Sequence, residues 1–238
     1  MSELEILPDR PGGETAPAVV VQRIQFRFSK GSAIRFISHL DLMRTFERAM
    51  RRAKLPLAFS QGYNPKPRLS LYVPLPVGST SEAELGSLDV AEPLEPGEFT
   101  RRMNAVLPPS IRISEEQEIP YEGAHAASKI DTAEYEVTAA APDALEESVV
   151  REAVRAFVES ESWRYVRESN KGTKTVDLRP PVLGLELLRV EGNSATFRMR
   201  INIGGEGGAR PREVIAALSE RLPGLEERRT HRGRLYQR

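Results

Sequence analysis

The order of strand-like and helix-like segments is the feature that most constrains the fold of this chain. Between residues 22 and 119, runs of alternating apolar residues predict strands before and after two amphipathic segments that predict helices. A second set of such segments follows from residue 133 onwards. When adjacent strand pieces are merged, each set has the order β-α-β-β-α-β, which is typical of a ferredoxin-like domain. We therefore predict an α+β protein of two tandem ferredoxin-like domains with antiparallel sheets.

The same pattern places the domain boundaries. At 238 residues the chain is long enough for two domains of ordinary size. We predict an N-terminal domain over 21–120, a linker over 121–132 and a C-terminal domain over 133–238. Residues 1–20 are rich in acidic residues and proline, and we predict a disordered leader there.

Three local patterns predict where elements begin. Residues 33–37 resume the apolar pattern of the first strand after a turn, so we expect them to be extended. Ser38, with Asp41 three residues later, has the pattern of a helix N-cap with a capping box. Asp143, followed by Glu146, has a similar pattern before the third helix. These patterns predict helices over about 39–54 and 143–160.

The residue types that are missing exclude several kinds of chemistry. The chain has no cysteine, which excludes disulfides, thiolate zinc sites and iron–sulfur ligation. Its three histidines lie far apart in sequence, which argues against a histidine-based metal site. No apolar run reaches the roughly 20 residues of a membrane-spanning helix, and the N-terminus lacks the pattern of a signal peptide. We expect a cytoplasmic protein that binds no cofactor, metal or membrane itself.

Charge is distributed unevenly although the formal net charge is zero. Residues 21–78 contain 11 Lys and Arg against 2 Asp and Glu, whereas residues 79–162 contain 6 against 19. Residues 163–238 are basic again, with 16 against 9. Basic segments of this density are suited to polyanions such as nucleic acids. The alternative is that the acidic and basic segments neutralise one another across a domain interface.

The predicted helix over 39–54 carries arginines that helix stability does not require. Its apolar residues fall on one face, and four arginines fall on the opposite face: Arg44, Arg48, Arg51 and Arg52. Like charges at this spacing repel one another by roughly 0.2–0.5 kcal/mol per pair. The arrangement favours contact with an anion, and a solvated face is the alternative.

The loop from Ser60 to Arg68 combines stiffness, charge and an aromatic residue. Pro65 and Pro67 restrict its backbone, and Gly62 permits a positive φ. A stacking ring beside amides and cations suits contact with single-stranded RNA, whereas a structural turn is the alternative. The residues predicted to contact RNA here are Ser60, Gln61, Gly62, Tyr63, Asn64, Lys66 and Arg68.

Two segments of the second half also suggest phosphate contacts. The segment KGTKTVDLR carries Lys171, Lys174 and Arg179, which we include in the predicted RNA-binding set. Equally, Asp177 and Arg179 could pair with each other or with the neighbouring domain. The glycine-rich loop Gly204–Gly208 precedes a helix but lacks the lysine of a nucleotide-binding loop, so we interpret it as a mobile connector.

A catalytic role depends on one candidate, His39 in the first turn of the predicted helix. A histidine there could act as a general base for RNA cleavage through a 2′-OH. A histidine next to an N-cap is more often a hydrogen-bonded structural residue. We therefore expect no catalytic activity of the chain's own.

The stretch from Phe36 to Gly78, FISHLDLMRTFERAMRRAKLPLAFSQGYNPKPRLSLYVPLPVG, closely resembles the opening of the radical-SAM-associated protein family. This is a bacterial family of uncharacterised domains that are fused to the C-terminus of a radical SAM protein or encoded beside one. The later KGTKTVDLRP is similar to the second-half motif of that family. The resemblance covers roughly residues 22–236.

The resemblance implies an accessory subunit of a radical SAM protein, in RNA modification or ribosome-related processing. The iron–sulfur cluster and S-adenosylmethionine are then expected on the partner. Together with the basic segments, the resemblance predicts that the chain binds or presents RNA, either tRNA or rRNA. One alternative is a protein-binding adaptor with no nucleic-acid role.

The other alternative is a metal-independent endoribonuclease that uses His39. The chain is similar to the CRISPR repeat-processing endoribonucleases, which also pair ferredoxin-like domains and can use a histidine near the first helix. Their glycine-rich loop follows the last helix, whereas the loop here precedes it.

Overall fold

The structure is a computed structural model that describes residues 20–120, 130–169, 172–204 and 208–237. The first half contains strands β1 Gln22–Lys30, β2 Leu69–Leu71, β3 Thr80–Val90 and β4 Ile111–Ile119, a 3-10 turn Ser32–Ile34, and helices α1 His39–Arg52 and α2 Glu98–Asn104. The second half contains strands β5 Ile130–Ala140, β6 Arg164–Ser169, β7 Gly172–Asp177, β8 Val182–Glu191, β9 Ser194–Asn202 and β10 Glu226–Gln237, and helices α3 Glu147–Glu159 and α4 Pro211–Ser219.

Most strands of the two halves form one sheet, in the order β4-β1-β3-β10-β5-β9-β8. Strand β2 also pairs with β3, and β6 and β7 form a separate hairpin. The pairing of β3 with β10 is parallel and joins Thr80 to His231 and Ser81 to Arg232, whereas the other strand pairs are antiparallel. The prediction of an α+β protein with mainly antiparallel pairing is confirmed. The two halves nevertheless share one sheet instead of having one each.

Each half buries its own apolar core between the sheet and its helices. In the first half, Phe26 and Phe28 of β1 pack against Phe46 of α1, with ring centroids 5.7 and 4.9 Å apart. In the second half, Phe157 of α3 and Leu218 of α4 belong to one buried cluster with the inward residues of β5 and β9. Burial of these side chains positions the opposite faces of the helices towards solvent.

Charged residues are buried where the two halves meet. Arg232 of β10 and Glu84 of β3 form an ion pair, with 2.8 Å between Nε and Oε1. Lys30 of β1 lies nearby and donates to the carbonyls of Arg35 and Ile37 at 3.0 and 3.3 Å. Burial lowers the pKa of Lys30, an effect that Glu84 opposes and Arg232 reinforces. The contact between the two halves, which we call the joint, therefore depends on polar contacts in addition to apolar packing.

Some predicted element boundaries were wrong for reasons of tertiary contact. Residues 33–37 are not a strand, because the bonds from Lys30 to the Arg35 and Ile37 carbonyls hold a compact turn there. Asp143 is not an N-cap, since α3 begins at Glu147. Backbone bonds of 2.9 Å from Ala141 and Leu145 to the β8–β9 turn keep the preceding segment out of the helix. The predicted leader up to residue 19 and the linker residues 121–129 lie outside the described residues. The last residues of the predicted linker, 130–132, are not a linker, because β5 begins at Ile130 and pairs with β9 and β10 there.

Candidate nucleic-acid interface

Helix α1 begins as predicted, with Ser38 as its N-cap. The Ser38 Oγ accepts from the Asp41 backbone N–H at 3.1 Å and donates to the Asp41 carboxylate at 2.7 Å. The Ser38 hydroxyl is the main reason that the pKa of Asp41 is lower than usual, and Arg44 contributes. The carboxylate also complements the positive end of the helix dipole.

The buried face of α1 leaves its arginines on the outside. Leu42, Phe46, Ala49 and Met50 are buried, whereas Arg44, Arg48 and Arg51 are exposed. Arg44 pairs with Asp41 at 3.3 Å, and the guanidinium of Arg48 contacts the Thr45 hydroxyl at 3.4 Å. Arg52 differs, because it donates to the Val106 carbonyl at 2.6 Å and thereby ties α1 to the end of α2. Three of the four predicted arginines thus form an open cationic row.

The C-terminal end of α1 is closed by a residue in an unusual conformation and by an arginine of α2. Lys54 has φ of 51°, in the left-handed region that usually holds glycine. The guanidinium of Arg102 donates to the carbonyls of Ala53 and Lys54. These contacts turn the chain sharply into the segment that precedes the loop. They also place Lys54, an exposed cation that the arginine pattern alone had not singled out, at this end of α1.

The loop after α1 is pinned at its base and open at its tip. The Ser60 N–H donates to the Lys66 carbonyl at 2.8 Å, and the Lys66 N–H donates to the Ser60 Oγ at 3.0 Å. Gly62 has φ of 122°, as its predicted role requires. The Tyr63 side chain is 100% exposed. We call the three exposed arginines of α1 (Arg44, Arg48, Arg51) together with Ser60–Lys66 the basic surface.

The segment that links the two parts of the basic surface contacts the end of β3. Leu57 forms a bridge with Val90, the last residue of β3, and the Ala91 N–H donates to the Pro56 carbonyl at 2.8 Å. The chain between α1 and the loop therefore runs beside the end of β3. This contact anchors the base of the loop a few residues after the arginine helix ends.

Arg68 has a different environment from the loop residues before it. Its Nε lies 3.1 Å from Oδ2 of Asp89, a carboxylate that is 2% exposed and also pairs with Arg23 at 2.6 Å. A buried carboxylate needs such partners. Arg68 therefore stabilises the edge of β3, which sequence reasoning could not foresee because Asp89 lies 21 residues further along the chain.

Of the predicted RNA-binding residues of the second half, Lys174 lies on the β6–β7 hairpin and Arg179 follows it. Lys171 lies outside the described residues, and Lys174 is exposed on β7. The guanidinium of Arg179 donates to the Val158 and Val182 carbonyls at 2.9 and 2.8 Å. The Asp177 carboxylate accepts the backbone N–H groups of Trp163 and Arg179, and these bonds lower its pKa. Arg179 thus holds the hairpin to α3 and β8.

His39 is the first residue of α1 and is half-buried. Within the part of the chain that the structure describes, its imidazole ring has no hydrogen-bond partner. No trio of His, Asp or Glu among the described residues is arranged to hold a metal ion. No described helix is long and apolar enough to cross a membrane. In the glycine-rich loop Gly204–Gly208, residues 205–207 lie outside the described residues.

Comparison with known proteins gives one family and several structures of similar fold. The model of a family described as "Uncharacterized protein conserved in bacteria (DUF2344)" matches residues 23–211. No curated protein matches the sequence. A chain in the crystal structure of a Cbf5-Nop10-Gar1 complex is 12% identical, with a TM-score of 0.56 over 89% of this chain and 48% of that chain.

Two further structures come from related complexes. A chain in the archaeal box H/ACA sRNP Nop10-Cbf5 complex is 11% identical, with a TM-score of 0.51 over 88% of this chain and 46% of that chain. A chain in an H/ACA RNP bound to a substrate RNA containing 2′-deoxyuridine is 12% identical, with a TM-score of 0.49 over 93% and 54%. This chain spans about half the length of the chains that it matches.

Proposed function

The chain belongs to the bacterial family DUF2344, and we propose that it is an RNA-binding or substrate-presenting accessory protein that takes up single-stranded RNA on its basic surface. The observation that carries this proposal is the fully exposed ring of Tyr63 on a pinned loop, next in the chain to a helix with a row of exposed arginines. An exposed ring contributes little to folding, whereas it offers a base a surface for stacking.

The arginine row supplies the phosphate contacts of this proposal. Four residues of an α-helix rise by about 6 Å, so Arg44 and Arg48 present cations at a spacing close to that of successive phosphates along one strand. Arg51 lies about one turn further on. Among the described residues, no carboxylate lies within ion-pair distance of Arg48 or Arg51. Both guanidiniums are therefore available to an external anion.

The loop supplies base contacts. Gln61 and Asn64 are exposed on either side of Tyr63, so their amides could donate to and accept from base edges. Lys66 adds a cation at the base of the loop. The guanidiniums of Arg52 and Arg179 donate to backbone carbonyls, and that of Arg68 pairs with a buried carboxylate. We therefore assign these three arginines to supporting the fold.

The surroundings of His39 favour RNA binding over RNA cleavage as the function of the chain. A general base usually has a second group that orients its ring. His39 has no such group among the described residues. RNA binding alone accounts for the arginine row and for the exposed ring of Tyr63.

The structural neighbours support an RNA role at the level of fold. One of them comes from an archaeal box H/ACA sRNP complex, so a fold of this kind occurs within a ribonucleoprotein. The strand orders also support the finer topology that we propose. The first half has the order β4-β1-β3-β2 and the second half β10-β5-β9-β8, and each is the order of a ferredoxin-like domain, with β6–β7 as an insertion. We assign these domains to residues 21–120 and to the chain from Ile130 onwards, where β5 begins.

The partner is proposed on sequence resemblance alone. The motifs at Phe36–Gly78 and KGTKTVDLRP resemble those of radical-SAM-associated proteins, so we propose a cytoplasmic radical SAM partner that holds the iron–sulfur cluster and S-adenosylmethionine. Co-purification of a radical SAM protein with the tagged chain after nuclease treatment tests this partner. Recovery of the tagged chain without any radical SAM protein from a cell that makes both would contradict it.

Tyr63 provides the test of the RNA role. We expect labelled single-stranded RNA to bind the wild-type protein at low salt, with Tyr63→Ala about 5- to 150-fold weaker because one stacked base is lost. Tyr63→Phe keeps the ring and should bind like the wild type. Equal affinity of Tyr63→Ala and the wild type would overturn the assignment of the loop. Failure of the wild type to bind any RNA would leave the protein-adaptor function instead.

A further inference from the structure

A cleft between the two halves is lined by residues outside the basic surface. It has a volume of about 430 Å³ and runs between the Pro74–Ser79 segment of the first half and the start of α4 in the second half. One wall is apolar and consists of Pro74, Leu75, Pro76 and Val77. Clefts of this size between domains are common places for small ligands.

The opposite wall is cationic. Arg210 and Arg212 flank Pro211, the first residue of the nine-residue helix α4, and both arginines are exposed in the cleft. Glu213 offsets them only in part, because its buried carboxylate accepts from two nitrogens of Arg167 at 2.7 Å and lies 4.0 Å from the Arg210 guanidinium. The positive end of the helix dipole adds to this charge.

A buried hydroxyl on the floor of the cleft lacks a partner. Thr230 of β10 lines the cleft, is 2% exposed, and its Oγ1 has no hydrogen-bond partner among the described residues. Leaving a buried hydroxyl unpaired costs about 1–3 kcal/mol. A ligand oxygen that reached this hydroxyl from the cleft would remove that cost.

We propose that this cleft binds a nucleotide, with its phosphate between Arg210, Arg212 and the start of α4. The Thr230 hydroxyl donates to the same phosphate. The flat apolar wall from Pro74 to Val77 covers the base. Glu227 also lines the cleft. Its negative charge repels the phosphate from the end of the cleft where Glu227 lies, and its carboxylate accepts hydrogen bonds from ribose hydroxyls at that end.

The nucleotide can be a free mononucleotide or the phosphorylated end of an RNA strand. The Gly78 N–H, at the end of the apolar wall, donates to the Arg35 carbonyl at 2.8 Å, so the cleft opens beside the segment that leads into α1. The cleft shares no residue with the basic surface. The inference therefore stands whether or not the basic surface binds RNA.

Calorimetric titration with AMP, UMP, adenosine and inorganic phosphate tests the site. We expect the nucleoside monophosphates to bind more tightly than adenosine or phosphate alone, because each of these lacks half of the contacts. Arg210→Gln with Arg212→Gln should weaken AMP at least about tenfold, as loss of hydrogen bonds to charged groups does. The matched control is Arg221→Gln, at an exposed position just after the same helix, which should leave AMP affinity unchanged.

Thr230→Val provides an independent readout in the free protein. Removing an unpaired buried hydroxyl should raise Tm by about 2 °C or more while the AMP affinity falls. Absence of binding by either nucleotide at millimolar concentration would overturn the proposal. Equal AMP affinity of the double variant and the wild type would overturn it as well.

Short RNA with and without a 5′-phosphate distinguishes the two sources. If the ligand is an RNA end, the 5′-phosphate tightens binding to the wild type and has no effect on the Arg210→Gln, Arg212→Gln double variant. If the ligand is a free nucleotide, AMP binds and the 5′-phosphate of the RNA has no effect on either protein. Both results support a nucleotide site in the cleft.

Discussion

The guanidinium of Arg232 in β10 donates to both oxygens of the Glu84 carboxylate in β3, across the only parallel pairing in the described sheet. Both side chains are almost completely buried, and Arg232 also donates to the Val73 carbonyl at 3.1 Å. Burial alone would lower the pKa of Arg232, but Glu84 and Tyr135 together raise it above its ordinary value. Arg232 therefore stays charged at the joint between the halves.

Breaking this pair should destabilise the whole protein. Glu84→Gln leaves a buried arginine without its counter-charge, and we expect the free energy of unfolding to fall by about 3–5 kcal/mol. Urea denaturation measures this loss in the free energy of unfolding. Glu115→Gln is the matched control, because its pair with Arg27 is exposed and should be worth less than about 1 kcal/mol. Similar losses in the two variants would contradict the importance of the buried joint.

The strained end of α1 predicts a stabilising substitution. Lys54 has φ of 51°, and a left-handed conformation costs a non-glycine residue roughly 1–2 kcal/mol. Lys54→Gly should therefore raise the free energy of unfolding by about 1 kcal/mol. Lys54→Ala removes the same charge but keeps the strain, so it should bring no gain. A gain in both variants would show that charge, and not backbone strain, limits stability here.

Two adjacent arginines of α2, Arg101 and Arg102, should contribute very differently to the free energy of unfolding. Arg102 donates to the carbonyls that end α1, whereas Arg101 is exposed and lies 4.0 Å from Glu98. We expect Arg102→Gln to lower the free energy of unfolding by about 1–3 kcal/mol, since buried acceptors lose a charged donor. Arg101→Gln should change it by less than about 0.5 kcal/mol. Equal effects in thermal unfolding would refute this assignment of Arg102.

Acid should weaken the β6–β7 hairpin through Asp177. Its pKa is lowered by hydrogen bonds from the Trp163 and Arg179 N–H groups. A lowered folded-state pKa means that the carboxylate stabilises the fold above its unfolded pKa of about 3.9, and that this stabilisation is lost as the pH falls through the folded value. The stability difference between the wild type and Asp177→Ala should therefore shrink on acidification.

Trp163 is the sole tryptophan of the chain, so its fluorescence reports on this hairpin. Unfolding followed at Trp163 across pH 7 to about 2 measures the difference, and Glu161→Ala controls for the change in net charge. A difference between the wild type and Asp177→Ala that did not vary with pH would contradict the proposed bonds.

Local signals predicted much of the first half. Ser38 caps α1 through its own neighbouring N–H, and the apolar and arginine faces follow from helical spacing. Gly62 adopts a positive φ, which the absence of a Cβ was predicted to permit. These features depend on residues close in sequence, which pattern analysis can detect.

Features that depend on distant residues were not predictable. Arg232 and Glu84 are 148 residues apart, and no local pattern pairs them or joins the strands of the two halves in one sheet. Arg68 and Arg179 looked like phosphate contacts, because a sequence does not show that Asp89 and the Val158 and Val182 carbonyls surround them. The cleft at Arg210 likewise forms only when the Pro74 segment packs against α4.

The most direct test of the RNA role is the salt dependence of RNA binding. Single-stranded RNA loses affinity with a slope of about −0.7 in log K against log[salt] per phosphate contact. The triple variant Arg44→Gln, Arg48→Gln, Arg51→Gln should bind more weakly and flatten the slope by about 2. The charge-matched control is Arg151→Gln, Arg155→Gln, Arg221→Gln on α3 and after α4, which should keep the wild-type slope. If the α1 variant kept the wild-type slope and affinity, the basic surface would not be the RNA-binding site.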